Sequence, residues 1–300
     1  MYYPFGGTFT STASVQPYKY NGKELDQKNR LNWYDHVARH YDAVIGRFIT
    51  VDSKIEKYSF INPYVYCLNN PIRWIDPTGE EPTKYEAALM AKHVYGDKVD
   101  LVGGWQISSK SFDGMTSDSG FKSALYEREV NGTVEYTLAT ASTELTDWGD
   151  IKEDISQLWG NTKQYNESVN LAQNISDGLN SSELTFVGHS LGGGLAVANA
   201  LATNKNAITF NSAALSSSTK LNLGLSKNVS NGLIFNVVVK GEIVDYLQSQ
   251  VGLTLEGVKY ELKASYLPFE SSINTALRVK NHSIDTVIKK IKEDLKIKDR

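Results

Sequence analysis

The sequence lacks several features that would place a chain in a class at once. It has one cysteine, Cys67, among 300 residues, which excludes an internal disulfide and any cysteine-rich metal site. No apolar run reaches the roughly 20 residues that a transmembrane helix needs, so we expect no transmembrane anchor. The N-terminus lacks the charged and apolar regions of a signal peptide, so we expect no export by the general route.

The chain also has no large excess of charge of either sign. Lys and Arg total 31 and Asp and Glu total 34, for a net charge of −3. Nucleic acids and anionic membrane surfaces attract strongly basic proteins, so we expect no nucleic-acid partner. The hydrophobic content of 41% is that of a globular chain with one sizeable core and room for a second small unit.

Proline is scarce, and its distribution divides the chain. Six of the seven prolines lie at or before Pro82, in a stretch where tyrosines alternate with Asn, Asp and Gly. Such composition predicts short strands and turns, and the Tyr34-Asp35 and Tyr41-Asp42 pairs suggest a short repeat. Helical patterns begin near Tyr85. We therefore predict a small β-rich domain over residues 1–80 and a second domain over residues 81–300.

The second domain alternates predicted strands and helices. An Asn131-Gly132 pair between two apolar runs predicts a β-hairpin. The other predicted strands and helices are strands at 184–187, 207–210 and 233–239 and helices at 151–158, 166–175, 195–202 and 286–295. This alternation predicts an α/β fold, in which helices flank a mostly parallel sheet.

A serine stands at the centre of the most informative motif. Gly188-His189-Ser190-Leu191-Gly192 follows a predicted strand and precedes a predicted helix, as in the nucleophile elbow of α/β-hydrolases. The glycines are needed because side chains there would clash with the adjoining strand and helix. The backbone N–H of Leu191 is then the first expected oxyanion donor, and we expect the second in the segment 141–143.

A serine hydroxyl needs a histidine to accept its proton and a carboxylate to orient that histidine. In α/β-hydrolases the chain order is serine, acid, histidine. His282 is the only histidine after Ser190, and we expect it in a loop before the C-terminal helix. Glu242 and Asp245 follow a predicted strand, where catalytic acids gather. We favour Glu242 and keep Asp245 as the alternative.

These segments together resemble the class 3, or fungal-type, lipases over about residues 85 to 290. The matching stretches are 136–143, 147–150, 186–193, 208–211 and 281–283. The resemblance implies an α/β-hydrolase fold and a serine lipase or esterase activity without cofactor or metal. It also implies an oxyanion role for Thr143, which matches the threonine of the family's usual Phe-Arg-Gly-Thr. Glu242 follows Gly241 as the family's acid follows a glycine.

The first 80 residues resemble the C-terminal end of an Rhs (YD-repeat) core. The matching stretches are 3–6, 18–25, 41–52 and 70–79, the last ending in Asp76-Pro77-Thr78-Gly79. In that family the core forms a β-shell around a toxin and releases it by aspartyl proteolysis at this junction. The resemblance places Asp52 and Asp76 on the family's two acids. It also implies an immunity protein as partner and, after synthesis in the cytoplasm, delivery by a specialised secretion apparatus into a target cell.

The leading functional prediction is an effector whose second domain hydrolyses ester bonds of membrane glycerolipids. Two alternatives stay open at this point. The hydrolase-like domain could serve in interaction without catalysis, or it could be a serine hydrolase that acts on another ester, a thioester or an amide.

Overall fold

The structure, a computed structural model, describes most of the second predicted domain and part of the first. The described residues are 5–7, 24–26, 32–35, 39–50, 64, 82–115, 119–130, 133–142, 162–179, 183–225, 234–264, 275–295 and 297. The chain divides into a small unit, residues 1–83 with 231–233, and a large unit, residues 84–230 with 234–300. The predicted boundary near residue 80 lies outside the described residues and stays a prediction.

The described part of the small unit is an antiparallel sheet. Its strands follow chain order: β1 (Glu24–Asp26), β2 (Trp33–Asp35), β3 (His40–Asp42) and β4 (Arg47–Phe48). Tyr34 and Tyr41 stand opposite each other on β2 and β3 and pack with Phe48 in a small core. Each tyrosine hydroxyl donates to a backbone carbonyl, Tyr34 to Gly6 and Tyr41 to Phe5. The repeated tyrosine-aspartate pair thus corresponds to two neighbouring strands.

The large unit contains a seven-stranded sheet. Its strands in chain order are β5 (Gln106–Ile107), β6 (Lys122–Val130), β7 (Thr133–Ala141), β8 (Glu183–His189), β9 (Asn206–Phe210), β10 (Ile234–Val239) and β11 (Val258–Leu262). In space the order is β11-β10-β9-β8-β7-β6-β5. The five strands from β7 to β11 are parallel, while β5, β6 and β7 pair antiparallel. The predicted mostly parallel sheet is confirmed.

Seven helices accompany this sheet among the described residues. They are α1 (Lys84–His93), α2 (Thr162–Gly178), α3 (Leu191–Thr203), α4 (Ser217–Asn222), α5 (Ile243–Gln250), α6 (Thr275–His282) and α7 (Ile284–Leu295). The helix α3 is buried from Leu191 to Leu201 because its sequence is almost wholly apolar or small. The predicted α/β fold class is confirmed, although α4, α5 and α6 were not predicted. The predicted helix at 151–158 and the Asn131-Gly132 turn lie outside the described residues.

Ion pairs with buried side chains tie α1 to the rest of the large unit. Lys84 pairs with Asp294 of α7 and lies over the ring of Tyr260 on β11. Burial lowers the pKa of Lys84, although the Asp294 carboxylate counteracts this effect. The guanidinium of Arg128 on β6 contacts the carboxylates of Glu86 and Glu135, all three being buried. Removing Asp294 would leave the buried charge of Lys84 without its partner. Removing Arg128 would leave the buried charges of Glu86 and Glu135 without theirs, so these pairs fix the position of α1.

No helix in the part of the chain that the structure describes is both long enough and apolar enough to cross a membrane.

Candidate active site

Ser190 occupies a strained backbone position between β8 and α3. Its φ is 58° and its ψ is −125°, an unfavourable region for a residue with a side chain. Backbone hydrogen bonds hold this turn, because Ser190 N donates to Phe210 O at 3.0 Å and Ala213 N donates to Ser190 O at 3.0 Å. The strand, the sharp turn and the helix follow one another as the motif predicts.

The motif glycines permit close packing of main chain on main chain. A Cβ atom on Gly188 would lie 2.0 Å from the carbonyl oxygen of Gly192. A Cβ on Gly192 would lie 2.3 Å from the carbonyl oxygen of Thr140 on β7. Both distances are far inside van der Waals contact, so the elbow can form beside β7 only with glycine at these two positions.

His282 lies against Ser190 from the other end of the sequence. Its Nε2 is 2.9 Å from Ser190 Oγ, and both residues are buried. We expected His282 in a loop, and that expectation was wrong. It is the last residue of α6, and Ser283 alone separates it from α7. Residues 275–282 form a short helix that no pattern in the sequence predicted, and His282 therefore lies at a helix end.

Glu242 is the carboxylate that meets the histidine. Its Oε2 is 2.6 Å from His282 Nδ1, and the side chain is fully buried. Glu242 is also the N-cap of α5, because its carboxylate accepts hydrogen bonds from the backbone N–H groups of Val244 and Asp245. An ionised carboxylate at this place requires that His282 Nδ1 carry the proton, which leaves Nε2 free to accept the hydrogen of Ser190 Oγ.

Asp245, the alternative acid, points elsewhere. Both its carboxylate oxygens are 2.9 Å from Lys259 Nζ on β11, at a partly exposed site. The structure therefore brings Glu242, and not Asp245, to His282. Glu242 caps α5 just before its first turn, whereas Asp245 lies within that turn and pairs with Lys259 instead.

Of the two expected oxyanion donors, Leu191 lies among the described residues and Thr143 does not. Leu191 is the first residue of α3, where backbone N–H groups have no partner within the helix and the helix dipole favours negative charge. Thr143 lies outside the described residues. Its neighbour Ser142 is buried and donates from Oγ to Gln164 Oε1 at 3.0 Å. Asp52 and Asp76 also lie outside the described residues.

The structure adds two buried residues that the sequence did not reveal. His189 Nε2 lies 2.7 Å from the carbonyl oxygen of His282. Asn211 follows β9 with a left-handed φ of 43°, and its Nδ2 donates to the same oxygen at 2.9 Å. Burial and the nearby His282 lower the pKa of His189 to about 3, so its imidazole is neutral near pH 7. Asparagine's tolerance of left-handed backbone offers a weak signal for Asn211, whereas nothing local signals the contact of His189.

Within the described ranges, no three His, Cys, Asp or Glu side chains group closely enough to hold a metal ion.

A family model for Tle-like phospholipase domains, of the phospholipase-like group, matches residues 86–291. This match covers about two thirds of the chain, including all of α3 and α6. The chain belongs to the family of Tle-like phospholipase domains. The matched residues include Ser190, Glu242 and His282, so all three contacting side chains lie inside the family domain.

Individual proteins similar to this Tle-like phospholipase domain include enzymes with lipid-related names. The extracellular phospholipase A1 of Serratia liquefaciens is 35% identical over 151 residues, or 47% of this chain. The chain covers 45% of that relative's length. Among solved structures, a triacylglycerol lipase from Penicillium expansum has a TM-score of 0.40 at 15% identity over 61% of this chain and 79% of its own. The Rhizomucor miehei lipase propeptide complex has a TM-score of 0.38 at 16% identity, over 59% and 66%.

Proposed function

We propose that the large unit hydrolyses carboxylic ester bonds by a serine mechanism in which Ser190 is the nucleophile, His282 the base and Glu242 the acid. The observation that carries this proposal is the continuous contact from Ser190 Oγ to His282 Nε2 and from His282 Nδ1 to Glu242 Oε2, at 2.9 and 2.6 Å. This is the arrangement that activates a serine hydroxyl near neutral pH.

The reaction proceeds in two steps, acylation of Ser190 and then deacylation. Ser190 Oγ attacks the ester carbonyl while His282 Nε2 takes the serine proton, and Glu242 stabilises the resulting imidazolium through Nδ1–H. The backbone N–H of Leu191 stabilises the oxyanion, with a second donor from the region of Thr143. His282 then protonates the leaving alcohol, and an acyl-enzyme remains. Water then attacks the acyl-enzyme ester and gives a proton to His282. The bond from the acyl carbon to Ser190 Oγ breaks, His282 returns that proton to Oγ, and the free acid leaves.

The substrate class that we propose is the glycerolipids of membranes. Membership of the phospholipase-like family supports this choice, as does the similarity to a protein named extracellular phospholipase A1. An interaction module without catalysis would have no need for a strained serine in contact with a buried His–Glu pair, and so the contact chain favours the enzyme.

The proposal is tested with phospholipid vesicles and three proteins: the wild type, Ser190→Ala and His282→Ala. We expect fatty acid release from the wild type only, because members of a catalytic triad act as a unit and each loss costs several orders of magnitude. Labelling with a fluorophosphonate probe reads the serine independently of the substrate. Near-wild-type release by either variant contradicts the triad. Labelling of Ser190 without fatty acid release, combined with cleavage of peptides, contradicts the lipid substrate.

For the first 80 residues, we propose the end of an Rhs core that delivers the hydrolase as a toxin into a target cell. The proposal includes a secretion apparatus, an immunity protein and self-cleavage by Asp52 and Asp76, a carboxylate pair that would share one proton. It rests on the resemblance of residues 1–80 alone. In the protein with its complete shell, Asp52→Asn and Asp76→Asn should each abolish a free fragment that begins near Glu80. Mass spectrometry detects that fragment, and its presence in both variants contradicts the proposal.

A further inference from the structure

The carbonyl oxygen of His282 is held from two sides by buried side chains. His189 Nε2 approaches it to 2.7 Å and Asn211 Nδ2 to 2.9 Å, while Asn211 Nδ2 is also 3.0 Å from the carbonyl oxygen of Asn281. His282 ends α6, and the last carbonyls of a helix have no partner within the helix. The two side chains therefore supply the hydrogen bonds that this helix end needs, and they do so at the residue that carries the proposed base.

The same two side chains connect this helix end to the other parts of the site. His189 immediately precedes Ser190 in the chain. Asn211 Oδ1 accepts a hydrogen bond at 2.8 Å from the backbone N–H of Val239, the last residue of β10, three residues before Glu242. One amide thus joins the main chain of the base to the strand that leads to the acid. Each contact spans a long stretch of sequence, so the site depends on the fold to bring them together.

We propose that His189 and Asn211 are positioning residues, which hold the main chain of His282 and thereby fix the direction of its imidazole toward Ser190. This proposal rests on the function proposed above, because it assigns the two residues a role in that reaction. A displacement of about 1 Å in a reacting group can cost about 100-fold in rate, so an anchor on the main chain of the base is expected to act on turnover.

His189 suits this place because it donates a hydrogen bond without a charge. Its ring centre is 4.9 Å from that of His282, and a cation there would oppose the imidazolium that His282 becomes during the reaction. Burial keeps the pKa of His189 low, at about 3. Among the described residues, the hydroxyl of Tyr95 lies 3.5 Å from His189 Nδ1, and the carboxylate of Glu242 and Ser190 Oγ lie beside the imidazole of His282. Glutamine would keep an uncharged donor here, and methionine would remove it.

The test compares His189→Gln with His189→Met in the full chain. We expect His189→Met to lower kcat about 10- to 100-fold with KM unchanged, because binding of the lipid does not depend on the direction of the imidazole. His189→Gln should stay within about threefold of the wild type, which is less than the effect of one lost hydrogen bond. The matched control is His93→Met. His93 is the last residue of α1 and contacts the hydroxyl of Tyr126 on β6, so we expect this substitution to leave kcat unchanged.

Asn211→Gly provides a second variant that does not depend on the folding of the first. Glycine accepts the left-handed backbone at this position, so the change removes the amide without strain. We expect a similar fall of about 10- to 100-fold in kcat and in the rate of Ser190 labelling. Wild-type kcat in either His189→Met or Asn211→Gly overturns the proposal, and so does equal impairment of the Gln and Met variants, which would mean that ring packing matters and not the donor.

The labelling rate separates this proposal from the function on which it rests. A wild type that is labelled at Ser190 but releases no fatty acid rejects the lipid substrate alone. The positioning role is then still decided by the labelling rates, which we expect to fall in His189→Met and Asn211→Gly and to persist in His189→Gln.

Discussion

Glu242 combines two roles in one side chain. Its carboxylate caps the N-terminus of α5 and contacts His282 Nδ1 in a fully buried place. An N-cap is usually a short side chain, and glutamate is one methylene longer than aspartate. The extra length lets the carboxylate accept two backbone N–H groups while still reaching the imidazole. The glutamate at this position is therefore matched to the spacing between α5 and the end of α6.

The division of roles between the two acids gives a sharp prediction. We expect Glu242→Gln to lower kcat by about 10⁴-fold, because a neutral amide neither holds the correct tautomer of His282 nor stabilises its imidazolium. Asp245→Asn is the matched control. Its carboxylate pairs with Lys259 at a partly exposed site, and its backbone N–H is retained, so we expect near-wild-type kcat. A severe loss in Asp245→Asn together with an active Glu242→Gln would reverse the assignment.

The low pKa of His189 predicts a specific dependence of stability on pH. In the unfolded chain His189 gains a proton near pH 6.5, whereas in the folded protein burial and His282 lower its pKa to about 3. The unfolded state therefore binds more protons between these values, and folding stability falls as the pH falls through that window. Its contribution is fully present above about pH 6.5.

The measurement is urea unfolding of the wild type and His189→Gln at about pH 7 and about pH 5. Glutamine does not titrate, so acidification should destabilise the wild type more than the variant, by about 2 kcal/mol in the free energy of unfolding. Equal losses in both proteins would show that His189 has an ordinary pKa in the folded state.

At the scale of elements, the turn from β8 to α3 depends on main-chain contact. Gly188→Ala would place Cβ 2.0 Å from a carbonyl oxygen, and backbone atoms cannot move aside as a flexible side chain can. We expect a loss above about 4 kcal/mol in the free energy of unfolding and no labelling of Ser190. Gly252→Ala is the control. Its φ is 72° and its Cβ would meet nothing within 4 Å, so only backbone strain of about 1 kcal/mol applies. Equal losses in the two variants would contradict the crowding argument.

The sequence predicted the elements whose signals are local. The elbow strand and helix, the hairpin strands and α7 all have patterns within a few residues, and the structure has helices or strands there. The helix α5 was not predicted because its first turn follows Gly241 and Glu242, which resemble a loop. Without that helix, the sequence favours Glu242 only through the preceding Gly241 and keeps Asp245 as the alternative. The structure separates the two acids because Glu242 caps α5 and Asp245 lies within its first turn.

The contacts around His282 could not be predicted for a different reason. His189 and Asn211 reach its carbonyl oxygen across 93 and 71 positions of sequence. No pattern within a short window records a partner at that distance, and the packing of β8, β9 and α6 alone brings them together. The catalytic roles of Ser190, His282 and Glu242 remain predictions until the variants are measured.

At the scale of the whole molecule, the proposed triad belongs to one unit. Ser190, Glu242 and His282, together with the seven-stranded sheet, all lie in the large unit. We therefore expect residues 81–300, expressed alone, to fold cooperatively and to hydrolyse vesicle lipids with a kcat within about tenfold of the full chain. Thermal unfolding and fatty acid release measure the two properties. A fragment that is folded but inactive would mean that residues 1–80 contribute to the site.

The position of α6 late in the sequence has a consequence for synthesis. His282 lies 92 residues after Ser190, so at about 5 to 20 residues per second the ribosome adds the base about 5 to 20 s after the serine. On the proposed mechanism, the nascent chain carries throughout that interval a serine hydroxyl without its base. We therefore expect translation products that end before α6 to be inert toward lipids, and hydrolysis to begin only once the helix that carries His282 has been made and packed.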